Sequence, residues 1–109
     1  MELLETMIQN DKLVRDRIPE ILRAQGKRCD VRTLADDEFA QRVEEKLAEE
    51  IAEYRESGEI EELADIVKLI EAIAEQRGVE WDQFERLRLQ KREQRGGFTR
   101  RLLLSRVDE

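Results

Sequence analysis

Five acidic residues in two short runs carry the chemistry this sequence could perform: Glu49, Glu50 and Glu53, then Glu62 and Asp65. Their spacing is informative because each residue of an α-helix turns by about 100°. With Phe39 set at zero, Val43, Leu47, Ile51 and Tyr54 fall at about 40°, 80°, 120° and 60°, a single apolar stripe. Glu50 falls at about 20°, inside that stripe, with Glu53 and Glu49 about 60° and 100° beyond it. With Ile60 at zero, Leu69, Ile73, Ile66, Ile70, Leu63, Ala74 and Val67 fill an arc from about 180° to 340°. Glu62 sits within that arc at about 200°, and Asp65 at its edge at about 140°. A carboxylate buried without a partner costs several kcal/mol, so acids on an apolar face call for cations or hydrogen bonds.

The two runs flank Ser57-Gly58, which breaks the helical pattern. In an antiparallel helical hairpin centred there, residues equidistant from the turn share a level, which pairs Glu53 with Glu62 and Glu50 with Asp65. Three residues separate the levels, about 4.5 Å at 1.5 Å of rise per residue. Four carboxylates then converge on a patch the size of one or two cations. Like charges so close repel or hold protons unless a metal neutralises them. An oxygen-only ligand set points to Mg²⁺ or Mn²⁺ ahead of Ca²⁺. The competing reading is a surface acid cluster paired with arginines.

The elements that must position these acids are legible around them. A short helix is predicted to start near Asp16 to Pro19, since proline is tolerated in a first turn, and to stop at Gly26. Residues 27–34 read as extended. Ala35 followed by Asp36, Asp37 and Glu38 marks a helix N-terminus, and that helix runs to Glu56. A second long helix is predicted from Glu59 to Arg77, ending at Gly78, and a third from Trp81 to Gln94, broken by Gly96-Gly97. The first nine residues suggest a helical turn or a frayed end, and Phe98 to Val107 a strand or a docking arm. The fold class is therefore all-α, a helical hairpin or bundle with short extended segments at either end, in one domain over residues 1–109.

Composition narrows the chemistry further. The chain has 27 Asp and Glu, 20 Lys and Arg, no His and one Cys. Ordinary zinc sites, histidine triads and an internal disulfide are excluded. Charged residues make up 43%, against about 25% in ordinary domains, which suits long solvated helices. The net charge of −7 argues against a duplex nucleic-acid binder. It conceals a polarity: 13 acids and three bases lie between Asp36 and Asp65, and eight bases and one acid between Arg86 and Arg106. Lys12 to Arg28 adds six bases to two acids. An acidic centre flanked by basic segments suits a metal and a polyphosphate. No apolar run approaches the roughly 20 residues that span a bilayer, and the acidic start lacks a signal peptide's basic region. A cytoplasmic protein is expected.

Glu49-Glu50-Ile51-Ala52-Glu53 followed by Glu62-Leu63-Ala64-Asp65 resembles the EExxE…ExxD signature of the MazG-like, all-α nucleoside triphosphate pyrophosphohydrolases. The stretch from Lys12 to Leu22 looks like the opening of a subfamily labelled phosphoribosyl-ATP pyrophosphohydrolase-like or house-cleaning. Glu61 to Ile66 and Lys91 to Phe98 look like its middle and end. The resemblance spans almost the whole chain, and all five motif acids are present. It implies Mg²⁺-dependent cleavage between the α and β phosphates of a nucleotide, giving a monophosphate and pyrophosphate. It implies that Glu50, Glu53, Glu62 and Asp65 ligate the metal and that Glu49 orients or deprotonates the attacking water. Lys12, Arg15, Arg17, Lys91 and Arg95 become candidates to hold the phosphates.

Little of this short chain remains to build a base-reading pocket, and in members of the family that pocket forms partly across a subunit interface. The broad apolar arc of the second long helix is wider than one neighbour needs, so a homodimer or higher homo-oligomer is expected. Trp81 is read as a core or interface residue ahead of a base contact. Two alternatives stand beside this reading. One is phosphoribosyl-ATP pyrophosphohydrolase proper, of histidine biosynthesis. The other is a catalytically idle helical module that dimerises or binds a nucleotide.

Overall fold

Gly58 turns the chain back on itself. Its φ of 69° lies in the left-handed region that side chains disfavour, and its N–H donates to the Tyr54 carbonyl at 2.8 Å. The Ser57 hydroxyl accepts from the Glu59 N–H at 3.1 Å, which closes the turn. The hairpin so formed is the body of the computed structural model, which describes residues 11–108. Four helices are present among those residues: α1 (Ile18–Ala24), α2 (Asp36–Ser57), α3 (Ile60–Gln76) and α4 (Trp81–Arg95). No strand occurs among them, so the all-α expectation holds.

Boundaries follow local chemistry. Pro19 occupies the first turn of α1, where its missing N–H costs nothing. That helix ends at Ala24, two residues short of Gly26, because the Gly26 and Lys27 N–H groups bond back to Arg23 and Leu22 and close its C-terminus. Asp36, Asp37 and Glu38 fill the first turn of α2, against the positive end of the helix dipole. Gly78, at φ 79°, ends α3 in the same way as α1: its N–H reaches Glu75 and that of Val79 reaches Ala74, both at 2.9 Å. A capping box opens α4, with the Glu80 N–H donating to the Gln83 side chain at 3.0 Å.

Two of the extended expectations become irregular chain. Residues 27–34 form no ladder. The strand reading of Phe98 to Val107 is corrected: a turn at residues 98–100 leads into an irregular arm with no partner strand. Its side chains stay in solvent, Phe98 at 96% and Leu103 at 90% exposure, because Gly96-Gly97 release the arm from α4 and no other described element reaches it. The reading of residues 1–9 lies outside the described residues.

Packing is concentrated in the hairpin. α2 lies against α3, α3 makes a smaller contact with α4, and α4 does not touch α2. Val43 and Ala74 are the buried apolar residues among those described. The radius of gyration is 18.9 Å, whereas a compact chain of this length would have about 13 Å. The excess reflects the length of the hairpin, with its 22-residue α2, and the arm left in solvent; the apolar arc of α3 is only partly covered. Its Leu69 and Ile73 side faces α2, while Ile60, Leu63 and Val67 on the other side stay exposed, and Leu87 of α4 with them. Between α3 and α4 a groove of 620 Å³ is lined by Val67, Ile70, Trp81, Phe84 and Leu87, with Glu85, Arg88 and Lys91 of α4 also along it. Trp81 stacks on Phe84, with ring centroids 5.3 Å apart, so it belongs to this apolar surface. No helix among the described residues is long and apolar enough to cross a membrane.

Candidate metal centre

Glu50 lies where the helical phase placed it, on the buried face of α2, with 6% of its surface exposed. Its neighbours follow from the hairpin register. Carboxylate oxygens of Glu49, Glu50 and Glu53 lie within 4.8 Å of one another, and so do those of Glu50, Glu62 and Asp65. The expected single patch is therefore two overlapping triads hinged on Glu50, one along α2 and one bridging α2 to α3. Burial falls outward, from Glu50 to half-buried Glu49, Glu62 and Asp65 and then to exposed Glu53.

The centre is not electrostatically quiet. Glu50 Oε1 lies 3.4 Å from Lys46 Nζ, but the buried Glu50 Oε2 has no hydrogen-bond partner. The Glu62 carboxyl is pushed up to about 7, first by the hydrogen bond that a protonated Glu62 can donate to Glu50. Partial desolvation and the charges of Glu53, Glu50 and Asp65 push the same way. Glu53 is raised as well, chiefly by the charge of Glu50. Glu49 goes in the opposite direction: the ammonium of Lys12 holds its carboxyl below the usual range, assisted by Lys46. The pattern describes acids compressed around one buried oxygen that only a proton or an added cation can serve.

Cations from elsewhere in the chain already touch this cluster. Lys12 Nζ donates to Glu49 Oε1 at 3.2 Å, and Arg15 Nη2 to Asp65 Oδ1 at 2.6 Å. Arg42 fastens the same N-terminal segment by donating to the Asp11 carbonyl at 3.1 Å. Arg17 is turned away and pairs with Glu20 at 3.1 Å. Lys91 and Arg95 lie on α4, which packs on α3 alone, and no ion pair among the described residues joins either to the carboxylates. Of five basic residues singled out for phosphate, the structure thus brings Lys12 and Arg15 to the acids and leaves three apart. Lys46 was missed. Its signal was present, since it precedes Glu49 by three residues and Glu50 by four, the two spacings that meet on one helix face.

The donor set fits a hard divalent cation. It is all oxygen, carries several negative charges, spans two rigid helices and includes one desolvated acceptor with no partner. The class the fold and site define is thus an all-helical hairpin with an acidic centre between its two arms. Among known proteins, an uncharacterized protein of Mycolicibacterium smegmatis is 54% identical to this chain over 44 residues. That match covers 40% of this chain and 45% of the relative, so the chain spans less than half of the protein it resembles. No family model and no solved structure matches the chain.

Proposed function

We propose that this protein is a Mg²⁺-dependent nucleoside triphosphate pyrophosphohydrolase of the MazG-like kind, acting in the cytoplasm on non-standard nucleotides. The observation that carries the reading is the unpartnered, buried Glu50 Oε2 at the junction of two carboxylate triads. A cluster serving structure alone would give its most buried oxygen a fixed donor, whereas here only a proton shared with Glu62 or an added cation can serve it. Glu50, Glu53, Glu62 and Asp65 would hold Mg²⁺, with Mn²⁺ an acceptable substitute. When bound, the ion neutralises phosphate charge and acidifies water within its reach. Glu49, ionised and less buried than Glu50, would orient the attacking water towards phosphorus and take up its proton as the new P–O bond forms. The α–β anhydride breaks, and pyrophosphate leaves as charge builds on its oxygens. Phosphoryl transfer asks little covalent chemistry of the protein, so positioning and charge supply most of the catalysis.

The thin core and the open α3–α4 groove support a second part of the reading, that the active form is a homodimer or a larger homo-oligomer. Pyrophosphate release from a panel of canonical and modified nucleotides, with Mg²⁺ and with EDTA, tests the activity. Metal-dependent release that falls at least about a hundredfold in Glu50→Gln and Glu53→Gln is expected. Absence of release from every nucleotide, together with no thermal shift in Mg²⁺ or Mn²⁺, would leave the idle helical module instead.

A further inference from the structure

The Lys12–Arg15 segment crosses both arms of the hairpin. Lys12 reaches Glu49 on α2, 37 residues away in sequence, and Arg15 reaches Asp65 on α3, 50 residues away. Neither contact follows from helical neighbourhood. One irregular segment, fastened by Arg42 at Asp11, places one cation on each of the two carboxylate triads. Both side chains are half in solvent, with exposures of 53% and 56%, so neither is locked in place. Glu50 Oε2 remains unserved between them.

We propose that Lys12 and Arg15 are the resident counter-cations of the carboxylate centre, displaced by an incoming divalent ion and thereby freed to engage the phosphates of the substrate. The inference rests on the metal-centre reading above and adds an order of events to it. A carboxylate oxygen that accepts from an ammonium or guanidinium has that lone pair occupied, so a hard cation coordinating Asp65 competes directly with Arg15, and its charge among the acids beside Glu49 weakens the hold on Lys12. Once displaced, the two cations stand beside a centre whose acids are already neutralised. The nearest uncompensated anions are then those of a polyphosphate, for which a guanidinium fork and a compact ammonium are suited donors. The same two residues therefore oppose metal binding and favour polyphosphate binding. A residue that merely stabilised the fold would do neither.

The test is a pair of affinities measured on the intact chain without turnover. Mn²⁺ binding is followed by titration calorimetry in wild type, Lys12→Met and Arg15→Met, with Arg106→Met as a control for lost charge, since its partner Asp108 lies beside it in the C-terminal arm. Each strap variant should bind Mn²⁺ about twofold to fivefold more tightly, the range an exposed ion pair spans. Each should bind inorganic pyrophosphate at saturating Mn²⁺ more weakly, and Arg106→Met should change neither. Hydrogen exchange of amides in residues 12–18 should accelerate when Mn²⁺ is added to wild type and slow again when pyrophosphate follows. Mn²⁺ affinity unchanged or weakened in both strap variants would overturn the exchange while leaving the metal centre intact. Failure of wild type to bind Mn²⁺ at all would overturn the metal-centre reading and the exchange with it.

Discussion

The two sides of α3 are unfinished in opposite ways. Facing α2, Glu62 and Asp65 join Glu50 in a centre with too much negative charge and one buried oxygen without a partner. Facing away, Ile60, Leu63 and Val67 leave apolar surface in water, continuous with a groove floored by Trp81 and Phe84. The first deficit is electrostatic and calls for a cation. The second is hydrophobic and calls for a protein surface. One helix thus carries the acidic centre on one side and an exposed apolar face on the other, and under the proposed reading changes on the two faces should have separable effects.

The largest effect is expected from Glu62→Ala. Removing one acid of the bridging triad should reduce pyrophosphate release at least about a hundredfold. The metal-free fold should nonetheless become no less stable at pH 8, because a repelling carboxylate is gone. The sign of the pH dependence follows from the raised carboxyl of Glu62, at about 7 in the folded chain against an ordinary 4.5. An acid raised on folding binds its proton more tightly in the native state, so its contribution is intact below 4.5 and is lost as pH rises towards 7. Glu53, raised as well, adds to the same fall, whereas Glu49, Glu38 and Glu85 are lowered by cationic partners, so their contributions change below 4.5, outside that window. In EDTA the melting temperature should therefore fall from pH 5 to pH 8, with Glu62→Ala flattening the slope and Mg²⁺ doing the same in wild type. A slope unaltered by both would remove Glu62 from the centre.

The opposite face is broken by Val67→Glu with Leu87→Glu. Both positions are half exposed in the single chain, at 50% and 54%, so introduced charge is tolerated there unless a second copy covers them. Light scattering should show a wild-type mass at a multiple of 12.9 kDa and a double variant near that value itself. The variant should melt several degrees lower, at about 4–8 °C per kcal/mol of lost packing. Mn²⁺ stoichiometry per chain should survive, since the carboxylates lie on the other side of α3. A wild type that is monomeric at all concentrations would end the proposal of assembly.

How far each face could be read beforehand depends on the range of the interactions that build it. The hairpin turn at Gly58, the stop at Gly78 and the phase of Glu50 within its apolar stripe are set by residues within a few positions of each other, and all were legible. The convergence of α2 and α3 acids was legible as well, because the two-residue turn fixes the register. The Lys12–Glu49 and Arg15–Asp65 contacts were not, since residues 11–17 carry no periodicity and a tertiary approach sets their placement. Basic character alone grouped Arg17 with Lys12 and Arg15, whereas the α1 turn gives Arg17 a local partner in Glu20. The apolar and basic arm after Gly97 reads as a strand or a docking arm, and only the strand is at odds with the structure. A strand needs a ladder partner, and no described segment of this chain offers one.

The smallest expected effect is on Lys46, the cation already beside the buried acid. Its stem lies along the hairpin and only 24% of its side chain is exposed, while its ammonium sits 3.4 Å from Glu50 Oε1 and 3.6 Å from Glu49 Oε1. Lys46→Met keeps the apolar stem and removes the charge. Without metal, Glu50 then loses its near cation while Glu53 and Glu62 still repel it, so stability should fall by about 1 kcal/mol, a melting shift of several degrees. Saturating Mg²⁺ should restore most of that loss, because the ion supplies the charge that Lys46 supplied in its absence. The restoration is the informative part. A lysine that mattered only for packing would be replaced by methionine at little cost and with no metal dependence. A lysine that helped hold the metal-bound form would leave a deficit that Mg²⁺ deepens. Melting curves of wild type and variant in EDTA and in Mg²⁺ separate these outcomes, and only a metal-erased difference fits a centre whose buried charge is unfinished until a divalent ion completes it.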